Sequence, residues 1–110
     1  MYIREGYNKD CWSYILNAFV IRNSGRKISL ENEHSTIIER IPFKDIEYLP
    51  TINSNKLTLV LGNQGQETYK PIFNPSQIHI TTDNIGNDLN LEISDIENEV
   101  IFLHFDNLMR

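Results

Sequence analysis

The sequence predicts an α+β fold in which an N-terminal helix packs on a six- or seven-stranded, mainly antiparallel sheet that is strongly bent or closed into a small barrel. The chain has 110 residues, and this length supports a single domain over residues 1–110. One segment near the N-terminus repeats its apolar residues with the period of a helix. The remainder alternates apolar and polar residues between frequent turns, as antiparallel strands joined by short loops do.

The predicted helix covers about residues 9–23. Asn8 is a suitable N-cap, and Tyr7 and Trp12 occupy the two positions of a hydrophobic staple. Gly25 can adopt the left-handed conformation that ends a helix. One apolar stripe at helical spacing faces the core, and it consists of Trp12, Ile15, Leu16, Phe19 and Val20.

Two further expectations concern this helix. Arg22, Arg26 and Lys27 lie near its predicted C-terminus, where cations interact favourably with the helix dipole. Cys11 lies at the edge of the apolar stripe, and we expect it to be a small core hydrophobe. As the single cysteine of the chain, it excludes an internal disulfide.

The predicted meander covers about residues 26–106. Each run of alternating residues ends in Asn, Gly, Pro or Glu-rich segments that favour turns. The runs before the final strand are residues 28–31, 37–41, 57–61, 78–80 and 89–93.

The final strand, residues 100–105, is apolar on both faces except at His104. A strand with one solvated face should alternate, and this one does not. We therefore expect its odd-numbered residues to face one core. Val100 and Phe102 are expected to lie beneath the N-terminal helix on the opposite face.

The formal net charge of −5 disfavours binding to nucleic acid or to anionic membranes, because both partners attract basic surfaces. Residues 1–55 carry seven basic and seven acidic side chains, whereas residues 56–110 carry three and eight. The imbalance therefore lies in the second half. The N-terminus lacks the apolar stretch of a secretory signal, so a cytoplasmic location is expected.

The sequence carries no signature of catalysis, of a metal site or of cofactor binding. Its histidines, His34, His79 and His104, lie on different predicted elements without metal-ligand spacing. We expect His79 to face solvent on its strand. A hydrolase that uses His104 with Asp106 is the weakest of the alternatives. The chain is therefore expected not to be an enzyme and to need neither metal nor cofactor.

The leading hypothesis is a non-enzymatic module that binds a protein partner or itself, as a homodimer. Tyr14 and Ile21 point away from the apolar stripe and offer a hydrophobic patch. The acidic region over residues 83–99 is a second surface, suited to a basic partner, or else a solvated hairpin whose charges keep edge strands apart. Weak cation binding at residues 83–88 is a further alternative. The acidic candidates are Asp88, Glu92, Asp95, Glu97 and Glu99.

The alternative hypothesis is a barrel that binds a small ligand in a pocket between the helix and the sheet. Large apolar and aromatic side chains typically line such pockets. The expected lining residues are Trp12, Phe19, Phe102 and His104.

Landmarks along the chain, from about residue 8 to 108, also resemble a known family. They are Trp12, Phe19, Gly25-Arg26, Leu30-Glu31, Ile41-Pro42-Phe43, Ile72-Phe73-Asn74-Pro75, Leu91-Glu92-Ile93 and Phe102-Leu103-His104-Phe105. Their order resembles a bacterial domain-of-unknown-function family of short proteins. The resemblance implies a Trp-containing N-terminal helix followed by a β-meander, and it implies no activity. Lys70 stands where that family has a histidine.

Overall fold

The structure is a computed structural model that describes residues 1–50 and 55–106. It contains one α-helix, preceded by a 3₁₀ turn, and eight strands within these residues. In chain order the elements are β1 (Ile3–Gly6), the 3₁₀ turn (Lys9–Cys11), α1 (Trp12–Asn23), β2 (Lys27–Asn32), β3 (Thr36–Pro50), β4 (Asn55–Leu61), β5 (Thr68–Phe73), β6 (Pro75–Thr82), β7 (Asp88–Asp95) and β8 (Val100–Phe105).

The strands form one antiparallel sheet in the order β1-β6-β7-β8-β2-β3-β4-β5. The predicted α+β class is confirmed, but the sheet has eight strands rather than six or seven, and it is not closed into a barrel. The unpredicted strands are its two edges. β1 is short with every residue exposed, and β5 contains Pro71, so neither shows the alternation of a half-buried strand.

The bend of the sheet comes from β3. Its first half pairs with β2 and its second half with β4. A register shift in the β2–β3 pairing leaves an extra residue in β3, and Arg40 there has a φ of 54°. A further shift follows in the β2–β3 pairing between Leu30 and Glu31, and a third lies between Phe43 and Asp45 in the β3–β4 pairing. Bulges of this kind bend a strand and increase its twist, so the sheet curls around one face.

This curl brings the end of β5 close to the turn between β7 and β8. Asn74 is the single residue between β5 and β6, although these strands are not neighbours in the sheet. The Asn74 carbonyl accepts a hydrogen bond from the Ile96 amide over 3.1 Å, and the Asn74 amide donates to the Asn55 carbonyl over 2.9 Å. The two ends of the curled sheet are therefore tied together at Asn74.

The helix fills the concave face. The 3₁₀ turn and α1 together cover the residues predicted as one helix, and the Asn8 side chain accepts a hydrogen bond from the Asp10 amide, as an N-cap does. Gly25 ends the segment with a φ of 94°. Trp12 and Phe19 are fully buried against the sheet. The Trp12 indole also donates to the Tyr7 carbonyl over 3.0 Å, which fixes the entry of the helix. Among the described residues, no helix is long and apolar enough to cross a membrane.

The prediction that the helix covers Phe102 is wrong. Leu103 and Phe105 lie in the core, and the Phe105 ring contacts Phe19 of α1 with a centroid distance of 5.6 Å. Phe102 alternates with them and lies on the outer face. Its ring stacks on that of His104 with a centroid distance of 6.4 Å. It is half-buried because β8 is an interior strand with neighbours on both sides, not because a second layer covers it.

Replacing Leu103 by Ala is expected to lower the free energy of unfolding by about 2–5 kcal/mol, because it leaves a cavity at a fully buried position. Replacing Phe102 by Ala is expected to cost less, since that ring already contacts solvent. Urea denaturation followed by circular dichroism measures both losses. Equal losses in the two variants would contradict this assignment of the two faces.

Candidate functional site

Two adjoining clefts lie along the open side of the sheet, next to β5. The first has a volume of about 340 Å³ and separates residues 70–74 from the β7–β8 turn. The second, of about 270 Å³, continues to the β2–β3 hairpin. Lys70, Glu99 and Ile101 line both clefts, so they form one continuous depression, which we name the β5 groove.

Apolar side chains form the walls of the β5 groove. Ile72 and Ile101 belong to the core or pack against it. Phe73 and Ile96 lie on opposite sides of the first cleft and are 61% and 65% exposed. Ile37 lines the second cleft. The groove therefore presents large apolar surfaces to solvent while it rests on the core.

Charged side chains surround these walls. The acidic residues that line the groove are Glu33, Asp95, Glu97 and Glu99. Lys70 is the one Lys or Arg among the lining side chains, and it is half-buried; His34 also lines the second cleft. No ion pair joins Lys70 to a carboxylate in residues 1–50 and 55–106. The groove is therefore predominantly acidic.

Asp95 shapes the turn that carries the acidic side chains. Its Oδ1 accepts hydrogen bonds from the Glu97 amide at 2.8 Å and the Glu99 amide at 3.0 Å. Asn98 adopts a φ of 64° in the same turn. The Asp95 carboxylate is hydrogen-bonded to the backbone of this turn. Glu97 and Glu99 are therefore the carboxylates of the turn that project into solvent.

The prediction that Asp88 belongs to a solvent-facing acidic surface is wrong, because its side chain is 3% exposed. Its Oδ2 accepts hydrogen bonds from Arg22 Nε at 2.8 Å and from Asn23 Nδ2 at 2.7 Å. Arg26 donates to the Asp88 backbone carbonyl over 3.0 Å. Asp88 begins β7 and lies beside the C-terminus of α1. Hydrogen bonds from Arg22, Asn23 and Arg26 therefore connect the end of the helix and the turn after it to β7.

These contacts also revise the expected role of the basic cluster. The hydrogen bond to Asp88 raises the pKa of Arg22 above its usual range, whereas burial lowers the pKa of Arg26. The Arg26 guanidinium lies 4.2 Å from the centre of the Phe105 ring. Arg22 and Arg26 therefore bind specific groups of the sheet and core, beyond any compensation of the helix dipole. Lys27, by contrast, is exposed.

The remaining acidic candidate, Glu92, lies on the outer face of the sheet. Its Oε2 is 2.7 Å from Arg4 Nη2 on β1. It is therefore neutralised locally and lies apart from Glu97 and Glu99. The five predicted acidic residues do not form one surface, because their strand positions alternate between faces and ends of the sheet.

Tyr14 and Ile21 are exposed on α1, as predicted, at 77% and 75%. They do not line the β5 groove. Cys11, predicted to be buried, is exposed, because it lies in the 3₁₀ turn before α1 begins.

The four predicted pocket residues are not brought together. Trp12 and Phe19 are buried in the core on the concave face, whereas Phe102 and His104 lie on the outer face. His104 Nε2 is 3.5 Å from Glu31 Oε1, with half of its side chain exposed. The arrangement therefore gives no cavity shared by all four.

His104 and Asp106 do not form the pair that a hydrolase would need. Asp106 forms an ion pair with Arg40 at 3.1 Å rather than with His104. His79 lies on the outer face of β6, as expected, and it is half-buried because its ring lies against Gly6 of the neighbouring edge strand.

The segment over residues 83–88 does not gather ligands for a cation. Asp83 Oδ1 accepts hydrogen bonds from the Ile85 amide at 3.0 Å and the Asn87 amide at 2.9 Å. The hydrogen bonds to Asn87 and Ile85 lower the pKa of Asp83. Asp88 faces the helix instead. Within the described ranges, no group of three His, Cys, Asp or Glu residues is placed to hold a metal ion.

Sequence reasoning did not identify Lys70, Phe73 and Ile96 as site residues, although they supply a basic side chain and two exposed apolar walls of the groove. Lys70 and Phe73 lie on either side of Pro71, and their segment was not predicted to be a strand because proline is disfavoured in strands except at an edge. Aromatic residues on both sides of that proline, Tyr69 and Phe73, were the available signal for an exposed edge strand.

Comparison of the chain with protein-family models, with curated proteins and with solved structures found no match.

Replacing Asp88 by Asn is expected to lower the free energy of unfolding by about 2–3 kcal/mol, because an amide replaces a buried carboxylate that accepts three side-chain hydrogen bonds. Glu97→Gln is the matched control at an exposed position, with an expected change within about 0.5 kcal/mol. Urea denaturation measures both. An Asp88→Asn variant as stable as the control would contradict the role of this contact.

Proposed function

We propose that this protein is a non-enzymatic interaction module that docks a segment of another protein in the β5 groove. The observation that carries the proposal is the combination of exposed apolar walls with an acidic rim, seated on the core. Phe73 and Ile96 form the walls, and Glu97 and Glu99 belong to the rim.

The apolar walls supply most of the expected affinity. Full burial of a large apolar side chain is worth about 1.5–3 kcal/mol. Phe73 and Ile96 are each partly covered already, so their contact with a partner supplies roughly 2–4 kcal/mol before the cost of association. Since about 4 kcal/mol corresponds to a dissociation constant of about 1 mM, the expected dissociation constant of a short segment is millimolar or weaker.

The acidic rim selects the partner. Four carboxylates and one ammonium line the groove, so a segment that carries Lys or Arg beside apolar residues complements it. Complementary charges raise the association rate and reject partners of the wrong sign. Screening by salt weakens such contacts between exposed groups.

The partner is expected to bind through side chains rather than as an added strand. β5 is an edge of the sheet, and edges can pair with extended peptides. Pro71 lies within β5 and has no N–H to donate, which blunts strand addition.

An open groove also favours a polypeptide segment over a small enclosed ligand. Small-ligand pockets bury most of the ligand surface, whereas much of this lining is exposed. The homodimer, the cytoplasmic location and the family resemblance stay predictions from the sequence.

Short peptides that differ in charge test this function. A fluorescently labelled peptide of alternating Leu and Lys is expected to bind more tightly than its Leu–Glu counterpart, with weaker binding at high salt. The variant Ile96→Ser and the double variant Glu97→Gln/Glu99→Gln are each expected to weaken binding about tenfold, which is about 1.4 kcal/mol. Fluorescence polarisation measures the affinities.

The matched control is Glu5→Gln/Glu39→Gln, which removes two exposed carboxylates outside the groove. This control is expected to bind the Leu–Lys peptide like the unaltered protein. Binding that is absent, or that both groove variants leave unchanged, would overturn the proposed function.

A further inference from the structure

The outer face of β4 and its neighbours is a second apolar surface, which adjoins the groove and shares Pro71 and Phe73 with it. It consists of outward-facing residues of β3, β4 and β5, and we name it the β4 outer face. Strand register aligns them in three rows, which are Leu49-Lys56-Phe73, Glu47-Thr58-Pro71 and Asp45-Val60-Tyr69.

Three large apolar side chains on this face are exposed. Leu49, Tyr69 and Phe73 have exposed fractions of 60%, 59% and 61%. α1 lies on the other side of the sheet, where Trp12 contacts Tyr48 at a ring-centroid distance of 5.6 Å. No described helix or strand therefore covers Leu49, Tyr69 and Phe73, whereas Thr58 and Val60 of β4, between the neighbouring strands, are 7% and 4% exposed.

Two of the three charged side chains on this face, Lys56 and Glu47, have opposite charges, and the third is Asp45. Lys56 and Glu47 are exposed on adjacent strands, two residue pairs apart along the ladder. In the part of the chain that the structure describes, neither forms an ion pair. A two-fold axis that passes between them exchanges their positions, so each charge meets its opposite on a second copy. Such self-complementarity is what an isologous interface requires.

We infer that the β4 outer face is a self-association surface through which two copies of this chain pair face to face. Aromatic residues are enriched in interface cores, and Tyr69 and Phe73 supply them here. Face-to-face packing also agrees with Pro71, which opposes pairing of two β5 edges. The inference goes beyond the proposed function, because it assigns a role to Leu49, Lys56 and Tyr69, which do not line the groove, and shares only Pro71 and Phe73 with it.

The area of the face sets the strength of the pairing. Three strands spaced about 4.8 Å apart, each rising about 3.4 Å per residue, give a surface of a few hundred Å². Stable interfaces bury about 800 Å² on each partner. The dimer is therefore weak and depends on protein concentration.

Analytical ultracentrifugation of the full chain, from roughly 10 μM to 1 mM, tests the inference. The unaltered protein is expected to shift from monomer towards dimer over this range. Lys56→Glu and Glu47→Lys are each expected to weaken dimerisation about tenfold or more by placing like charges together. The double variant is expected to restore it, because the opposite charges meet again with their positions exchanged.

Tyr14→Glu on α1 is the matched control, because Tyr14 is the exposed aromatic of the other apolar patch. It is expected to leave dimerisation unchanged. A strict monomer throughout the range would overturn the inference, and so would loss of the dimer in Tyr14→Glu alone. Failure of the double variant to recover dimerisation would overturn the two-fold arrangement.

Lys56 Nζ lies 5.9 Å from the centre of the Phe73 ring, whereas Glu47 does not line the groove. Binding of the Leu–Lys peptide, measured on Glu47→Lys, therefore separates this inference from the proposed function. The variant is expected to retain the groove and to bind the peptide as a monomer. Circular dichroism confirms that each charge variant is folded.

Discussion

The contact among three aromatic rings joins the helix to strands on both sides of β2. Phe19 of α1 lies 5.7 Å from Phe43 of β3 and 5.6 Å from Phe105 of β8, and the last two lie 6.2 Å apart. Since β2 runs between these strands, the contact can form only if the sheet curves toward the helix. Arg26 stacks on Phe105 and then reaches the backbone of β7. The curvature of the sheet, the position of the helix and the location of the groove follow from this arrangement.

The curvature gives the two ends of the concave face different chemistry. At the helix end, Arg22 and Asn23 donate hydrogen bonds to the buried carboxylate of Asp88. The charges there therefore connect the helix to β7. At the other end, β5 is an edge strand that faces the β7–β8 turn across the groove, and the carboxylates of Glu97 and Glu99 remain in solvent. The net charge of the second half of the chain is thus divided between internal bonds and a free surface.

The helix and most strands could be predicted from the sequence, because local periodicity and turn residues determine them. The edge strands could not, since a strand with one free edge and exposed side chains carries no alternating pattern. The face that Phe102 occupies was also beyond sequence reasoning, because an interior strand buries side chains on both faces without a second layer. The role of Asp88 depends on contacts between residues far apart in the chain, which periodicity does not encode. Lys70 and Ile96 approach each other through the curl of the sheet, for the same reason.

The position of β8 has a consequence for how the chain reaches this state during synthesis. β8 lies between β7 and β2, and it is the strand that joins β1, β6 and β7 to β2–β5 by hydrogen bonds. A nascent chain that ends before residue 100 therefore has two separate groups of strands, each with an unpaired interior edge. The pairing of Ile28 with Phe105 closes a long loop, and such non-local contacts form slowly. Assembly of the complete sheet accordingly waits for β8, and the period before β8 is inserted is when the chain most needs protection from aggregation.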